Sequence, residues 1–260
     1  MPYQIIEGTY HSLSLNWKRK YYVYLPSNYD GKKVFPVLYF FDGDNFYNKE
    51  KTLSKESWEV PDTLEKMIKK HQTHGYICVG ISTSSNRLLE YAPVHLSQKF
   101  LPNSFDGNHE PKGDLTFTFF DEIKNMIEKT YLINGKNYIV GSSCGGIMAL
   151  YFIMRASNEY AGAGIFSPAT ILLVDRFHEM LREAQISSLT KAYIYMGGKE
   201  DDGSSQDMKD ANVNEAKLIF SSLQEKKIHT KLSIDPEGVH NELAWAKAFP
   251  SFIEYLEKGE

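Results

Sequence analysis

Hydrophobic positions along this chain alternate between two rhythms. "FPVLYFFDG" (35–43) and "YICVGIST" (76–83) are nearly unbroken apolar runs, as expected of strands buried on both faces. Between them, "VPDTLEKMIKKHQ" carries apolar residues at helical spacing, with Pro61 and Asp62 suited to a first turn. Together they predict a β-α-β unit. The alternation continues through helix "TFTFFDEIKNMIEKTY", strand "NYIV", helix "GGIMALYFIMRAS", strand "AGAGIFS" and helix "VDRFHEMLREAQ". It ends with strand "KAYIYMGG", helix "DANVNEAKLIFSSLQEKK", strand "HTKLSID" and helix "NELAWAKAFPSFIEYLEKG". Ahead of it, "QIIEGTYHSLSL" and "RKYYVYLP" read as an opening antiparallel pair closed by Pro26.

This order predicts an α/β fold with a mainly parallel central sheet and helices on both faces. Ligands in such sheets sit at the carboxyl ends of the strands. No repeat, low-complexity tract or linker divides the 260 residues, so a single domain over 1–260 is expected. The one long irregular stretch, about 84–114, is too long for an ordinary connection and reads as a lid or substrate loop.

Composition narrows the function classes. Hydrophobic residues make up 42% and charged residues 24%, a balance that supports a substantial core. The formal net charge of −4 gives no electrostatic footprint for nucleic acid, and "KRK" at 18–20 reads as solvated ends or edge-strand protection. No apolar run approaches membrane-spanning length, and "MPYQIIEGTY" has no signal-peptide pattern, so a soluble, cytoplasmic protein without a membrane partner is the expectation. The only cysteines, Cys78 and Cys144, support neither a disulfide framework nor paired-cysteine zinc ligation.

The strongest chemical signal is "NYIVGSSCGGIMALY" (137–151), where a strand runs through small residues into a helix. Gly141-Ser142-Ser143-Cys144-Gly145 fits G-x-S-x-G in the strand-turn-helix context that motif requires. Glycines two residues either side of Ser143 permit the sharp turn. The helix beginning there would set backbone N–H groups where negative charge develops in acyl transfer. Small residues are common in such turns, so the motif alone is weak. Its partners strengthen it: acids follow at a strand end in "YIYMGGKEDDG" (193–203), and His240 follows in "EGVHNELAW" just before the last helix. Serine, acid, histidine is the chain order of α/β-hydrolases. Glu200, Asp201 and Asp202 are all candidates for the acid. The loop "FFDGDN" after the third strand is placed to supply a second oxyanion N–H, from Asp44.

The segments "YYVYLP", "FPVLYFFDGDNFY", "RLLEYAP", "YIVGSSCGGIMALY", "GIFSPA", "GGKE" and "VHNELAWAKAFPSFIEYL" together resemble the esterase group of α/β-hydrolases that includes S-formylglutathione hydrolases, enterochelin-type esterases, mycolyltransferases, and feruloyl and acetylxylan esterases. The resemblance spans nearly the whole chain. It implies an α/β-hydrolase fold and a triad of Ser143, Glu200 and His240, with Asp201 as the reserve acid. It also implies an oxyanion hole from the backbone N–H groups of Cys144 and Asp44. Three positions depart from the commonest form: Phe41 where histidine often precedes Asp-Gly, Asp44 where glutamine is frequent, and Cys144 where methionine is usual.

The implied activity is serine carboxylesterase, acting on a small-molecule ester with no metal or organic cofactor. Acyl transfer to an acceptor other than water stays open, and the oligomeric state is not legible. Two other readings remain. Shifting the frame by one places Cys144 at the nucleophile position, as in dienelactone hydrolases, and a hydrolase fold can serve as a catalytically silent binding module. Trp58, Phe46 and Tyr91 could line a substrate pocket or belong to the core. Arg87 could contact a polar substrate or pair with Glu90 to tether the loop.

Overall fold

The computed structural model describes residues 2–52, 55–97, 109–200 and 206–258. Eight strands, β1 (Gln4–Ser12), β2 (Trp17–Leu25), β3 (Phe35–Phe40), β4 (Ile77–Ile81), β5 (Ile133–Ser142), β6 (Gly162–Phe166), β7 (Lys191–Gly197) and β8 (His229–Asp235), form one sheet in the order β1-β2-β4-β3-β5-β6-β7-β8. The helices are α1 (Val60–Lys69), α2 (Arg87–Glu90), α3 (Gly113–Thr130), α4 (Cys144–Ala156), α5 (Arg176–Glu183), α6 (Gln206–Glu225) and α7 (Glu242–Glu257). Pairing of β1 with β2 and of β2 with β4 is antiparallel, whereas β3–β4, β6–β7 and β7–β8 are parallel. The fold is therefore α/β with a mostly parallel sheet. Among the described residues no helix is long and apolar enough to cross a membrane.

The chain forms two compact units. The first comprises Met1–Ser84, Thr118–Ile139 and Asn241–Glu260. Its strands follow the burial their sequences imply: β4 is buried throughout, while β1 alternates between exposed and half-buried positions as an outermost strand does. "KRK" falls in β2, inside that edge, with Lys18 and Lys20 exposed; its charges are the solvated end of a strand. α1 packs on α7, whose first turn is capped by the Asn241 side chain accepting from the Ala244 N–H at 3.0 Å.

The second unit comprises Ser85–Phe117 and Val140–His240. α4 packs on β6, and α6 on β7 and β8. Every residue of α4 from Cys144 to Met154 is buried, which explains why its sequence is apolar all round rather than on one stripe. Within the irregular stretch expected at 84–114, α2 forms, Leu96 bridges Leu173 in antiparallel fashion, and α3 already opens at Gly113. Residues 98–108 of that expected lid lie outside the described residues.

A half-buried histidine–carboxylate pair joins three elements of this unit. His178 on α5 lies 3.1 Å (Nε2 to Oε2) from Glu215 on α6, and Thr170 donates its hydroxyl to the same Glu215 oxygen at 2.9 Å. The Glu215 bond raises the His178 pKa against the opposing effect of burial, with Asp175 adding to the rise and Arg182 reducing it. Glu215 is lowered in turn: burial pushes its carboxyl up, but the bonds from His178 and Thr170 outweigh that. A raised histidine contributes stability below its unfolded value, lost as pH rises through the folded one; a lowered carboxylate contributes above its unfolded value. The pair therefore stabilises most between the ordinary values of 4.5 and 6.5. Glu215→Gln should cost more stability at about pH 5.5 than at about pH 8.5, by roughly 1 kcal/mol, as expected of a hydrogen bond between charged groups. Urea denaturation of parent and variant at both pH values checks this, and an equal cost at the two would contradict it.

Candidate active site

β5 ends at Ser142 and α4 begins at Cys144, so the whole change of direction falls on Ser143. Its backbone is at φ 57, ψ −125, a strained region for a residue with a side chain. Gly141 makes the turn possible: a Cβ there would stand 2.2 Å from the Gly145 carbonyl oxygen. The small residues of the motif thus answer a steric demand. Ser143 is half-buried, while Cys144 behind it is buried. α4 starts directly after the serine, which sets the positive end of the helix dipole beside it.

The turn after β6 grips the peptide of Ser143 on both sides. The Ser143 N–H donates to the Phe166 carbonyl at 3.0 Å, and the Ala169 N–H donates to the Ser143 carbonyl at 3.2 Å. Between them Ser167 is buried, has φ 42, and donates its own N–H to the Tyr195 carbonyl at 2.8 Å.

Glu200 and His240 meet across the loops that follow β7 and β8. Glu200 Oε2 lies 2.5 Å from His240 Nδ1; the carboxylate side chain is 2% exposed and the imidazole 33%. The other oxygen, Oε1, accepts from the Gly197 N–H and from the Ser167 hydroxyl, each at 2.6 Å. The two loops are fastened by Lys199 N–H to Gly238 O at 2.8 Å and Gly198 N–H to Asp235 O at 2.7 Å. Their contact is so close that a Cβ on Gly197 would lie 2.4 Å from the Gly238 carbonyl. Beneath them Tyr195 keeps its hydroxyl protonated, because burial, then the Asp235 and Glu200 charges, push its pKa well up.

Ser143, Cys144, Glu200 and His240 are all in the second unit. Asp201 and Asp202 lie outside the described residues. Arg87 and Tyr91 are in the second unit too, where the guanidinium sits 5.1 Å over the ring of a buried Tyr91 as a cation–π pair. Asp44 belongs to the first unit, in the short 3-10 turn Gly43–Asn45 that follows a left-handed Asp42, and its carboxylate accepts from the Tyr22 hydroxyl at 2.5 Å. Trp58 is also in the first unit, buried against Trp245 at 5.7 Å and Phe40 at 6.1 Å between ring centroids. Phe46 is stacked on Phe40 at 5.6 Å. Trp58 and Phe46 thus have core partners. Among the described residues no group of three His, Cys, Asp or Glu side chains is arranged to hold a metal ion.

Reading the sequence did not single out Ser167. It lies in "GIFSPA", but nothing along the chain places its hydroxyl on Glu200, 33 residues away.

The sequence matches the family described as Putative esterase over residues 12–255. The chain belongs to this family. Membership makes it a carboxylic ester hydrolase. The fold is shared with solved structures of low identity. A ferulic acid esterase is 18% identical, with a TM-score of 0.74 and 98% of each chain covered. The IroE-like serine hydrolase from Shewanella oneidensis is 19% identical, with a TM-score of 0.79, 98% of this chain and 80% of that one covered. The enterobactin esterase FES from Shigella flexneri is 15% identical, with a TM-score of 0.72, 97% of this chain and 58% of that one covered. No curated protein matches the chain.

The elbow of this esterase makes a steric prediction. Gly141→Ala drives a methyl group into backbone that cannot rotate away, so it should destabilise the protein by about 1 to 3 kcal/mol or more, the range for overpacking. Chemical denaturation measures it; an unchanged midpoint would mean that the turn has slack.

Proposed function

We propose that this esterase works through an acyl-enzyme on Ser143, with His240 as general base and acid and Glu200 as the residue that orients it. The observation that carries the reading is the 2.5 Å bond between His240 Nδ1 and a buried Glu200 oxygen. A carboxylate with no proton to give holds Nδ1 as the donor, which leaves the lone pair on Nε2, the nitrogen that must take a proton. Of the three acids in "KEDDG", Glu200 lies among the described residues, and its bond to His240 supports this role.

The steps follow from that tautomer. His240 Nε2 removes the Ser143 hydroxyl proton as Oγ attacks the ester carbonyl, and the carbonyl electron pair moves to oxygen. The oxyanion is held by the Cys144 N–H at the start of α4. Each such donor contributes about 3 to 4 kcal/mol in comparable sites. As the tetrahedral intermediate collapses, His240 returns the proton to the departing alkoxide. Water, deprotonated by the same nitrogen, then attacks the acyl-enzyme and frees the acid and Ser143. The imidazolium in each half-reaction is stabilised by the Glu200 charge beside it. Burial of Cys144 is consistent with service by its main chain rather than by its thiol.

Hydrolysis of p-nitrophenyl acetate by three variants tests this assignment. Ser143→Ala should lose nearly all turnover while folding normally. Glu200→Gln should lower kcat by roughly a hundredfold to ten-thousandfold, as when a triad acid loses its charge. Cys144→Ala should stay within about tenfold of the parent, or roughly 1.4 kcal/mol of barrier. Loss of turnover in Cys144→Ala together with its survival in Ser143→Ala would move the nucleophile to the thiol.

A further inference from the structure

We propose that Ser167 is a positioning residue for this ester hydrolysis: its hydroxyl ties the Glu200 carboxylate to the same turn that grips the nucleophile. The inference rests on the Ser143, His240, Glu200 reading and adds a residue to it.

The two donors on Glu200 Oε1 differ in what they can hold. The Gly197 N–H belongs to the last residue of β7, three residues before Glu200, so it fixes the glutamate only to the strand that leads into its own turn. Ser167 comes from the turn after β6. Its hydroxyl reaches Oε1 at 2.6 Å, while its neighbours Phe166 and Ala169 hold the Ser143 N–H at 3.0 Å and the Ser143 carbonyl at 3.2 Å. The end of β6 and the turn after it, residues 166–169, therefore carry both the peptide of the nucleophile and one oxygen of the acid. The acid sets the imidazole through its remaining oxygen, Oε2.

Removing the hydroxyl takes away the bond that relates the carboxylate to the nucleophile's turn. The carboxylate can then swing about its terminal torsion, which is broad for a glutamate, and Oε2 no longer faces Nδ1 in one orientation. Oε1 is also left short of a donor on a side chain that is 2% exposed, where an under-satisfied charge is costly. The backbone points the same way. Ser167 is held at φ 42, where glycine would sit without strain, yet a side chain is kept there and its oxygen is spent on Glu200.

A double-mutant cycle tests the coupling. Ser167→Ala keeps the Cβ and removes one oxygen; kcat for p-nitrophenyl acetate should fall about ten- to a hundredfold with KM within about twofold, as for a lost hydrogen bond to a charged group. In a Glu200→Ala background the same change should alter kcat by less than about twofold, since no carboxylate remains to be positioned. Ser167→Cys, which keeps a weaker donor in the same place, should fall between parent and Ser167→Ala, and it serves for the cycle should Ser167→Ala not fold. Equal losses in both backgrounds would make Ser167 a merely structural residue and overturn the proposal, as would parental kcat in Ser167→Ala. Ser143→Ala is assayed alongside: its survival would sink the triad reading itself, whereas a dead Ser143→Ala beside an unaffected Ser167→Ala sinks only the role of Ser167.

Discussion

A carboxylate with 2% of its side chain exposed is the interaction on which the rest of this site depends. An ionised carboxylate taken from water is tolerable only when its lone pairs are met, and Glu200 is met by an N–H, a hydroxyl and an imidazole. Those donors come from three places: the last residue of β7, the turn after β6 and the loop after β8. Satisfying one charge therefore draws three chain segments together at the carboxyl ends of parallel strands. The close contact of Gly197 with Gly238 and the buried ring of Tyr195 beneath it follow from the same demand.

Two strained residues stand on either side of this arrangement. Ser143 at φ 57 and Ser167 at φ 42 both hold side chains in backbone regions that glycine occupies more readily. Strain of that kind costs on the order of 1 to 3 kcal/mol per residue and persists only where surrounding bonds over-determine it. Here those bonds are mutual, since the β6 turn holds Ser143 and is itself held to β7 through the Ser167 N–H. The fully buried α4 supplies the rigid body against which the turn is braced. A hydroxyl in such a position is pre-placed, so little ordering remains to be done when substrate arrives.

Much of this was legible from residue order. The strand reading "HTKLSID" has the observed ends of β8, His229 to Asp235, and Pro236 and Gly238 follow it at once. The strand reading "NYIV" falls six residues short of β5: its opening "INGK" is half-exposed to exposed, and Gly141 and Ser142 read as part of the turn. The elbow could be recognised since its steric demand is local: Gly141, Ser143 and Gly145 lie within five positions. Ser167 could not be, because its role depends on a contact 33 residues distant through folded space. Among the acids of "KEDDG", the resemblance favours Glu200 with Asp201 in reserve, and Asp201 and Asp202 lie outside the described residues. Trp58 illustrates the opposite ambiguity: an aromatic residue next to an apolar run suits a pocket as well as a core, and its partners prove to be Trp245 and Phe40.

Labelling the nucleophile tests the central claim most directly. The protein is treated with a fluorophosphonate at neutral pH, with and without prior unfolding, and the modified residue is mapped by mass spectrometry of the peptide spanning Ser142, Ser143 and Cys144. A single adduct on the Ser143 oxygen, formed only by folded protein and strongly slowed in Glu200→Gln, is the predicted result. An adduct on Cys144, or labelling of Ser143 at a rate indifferent to Glu200, would contradict the account.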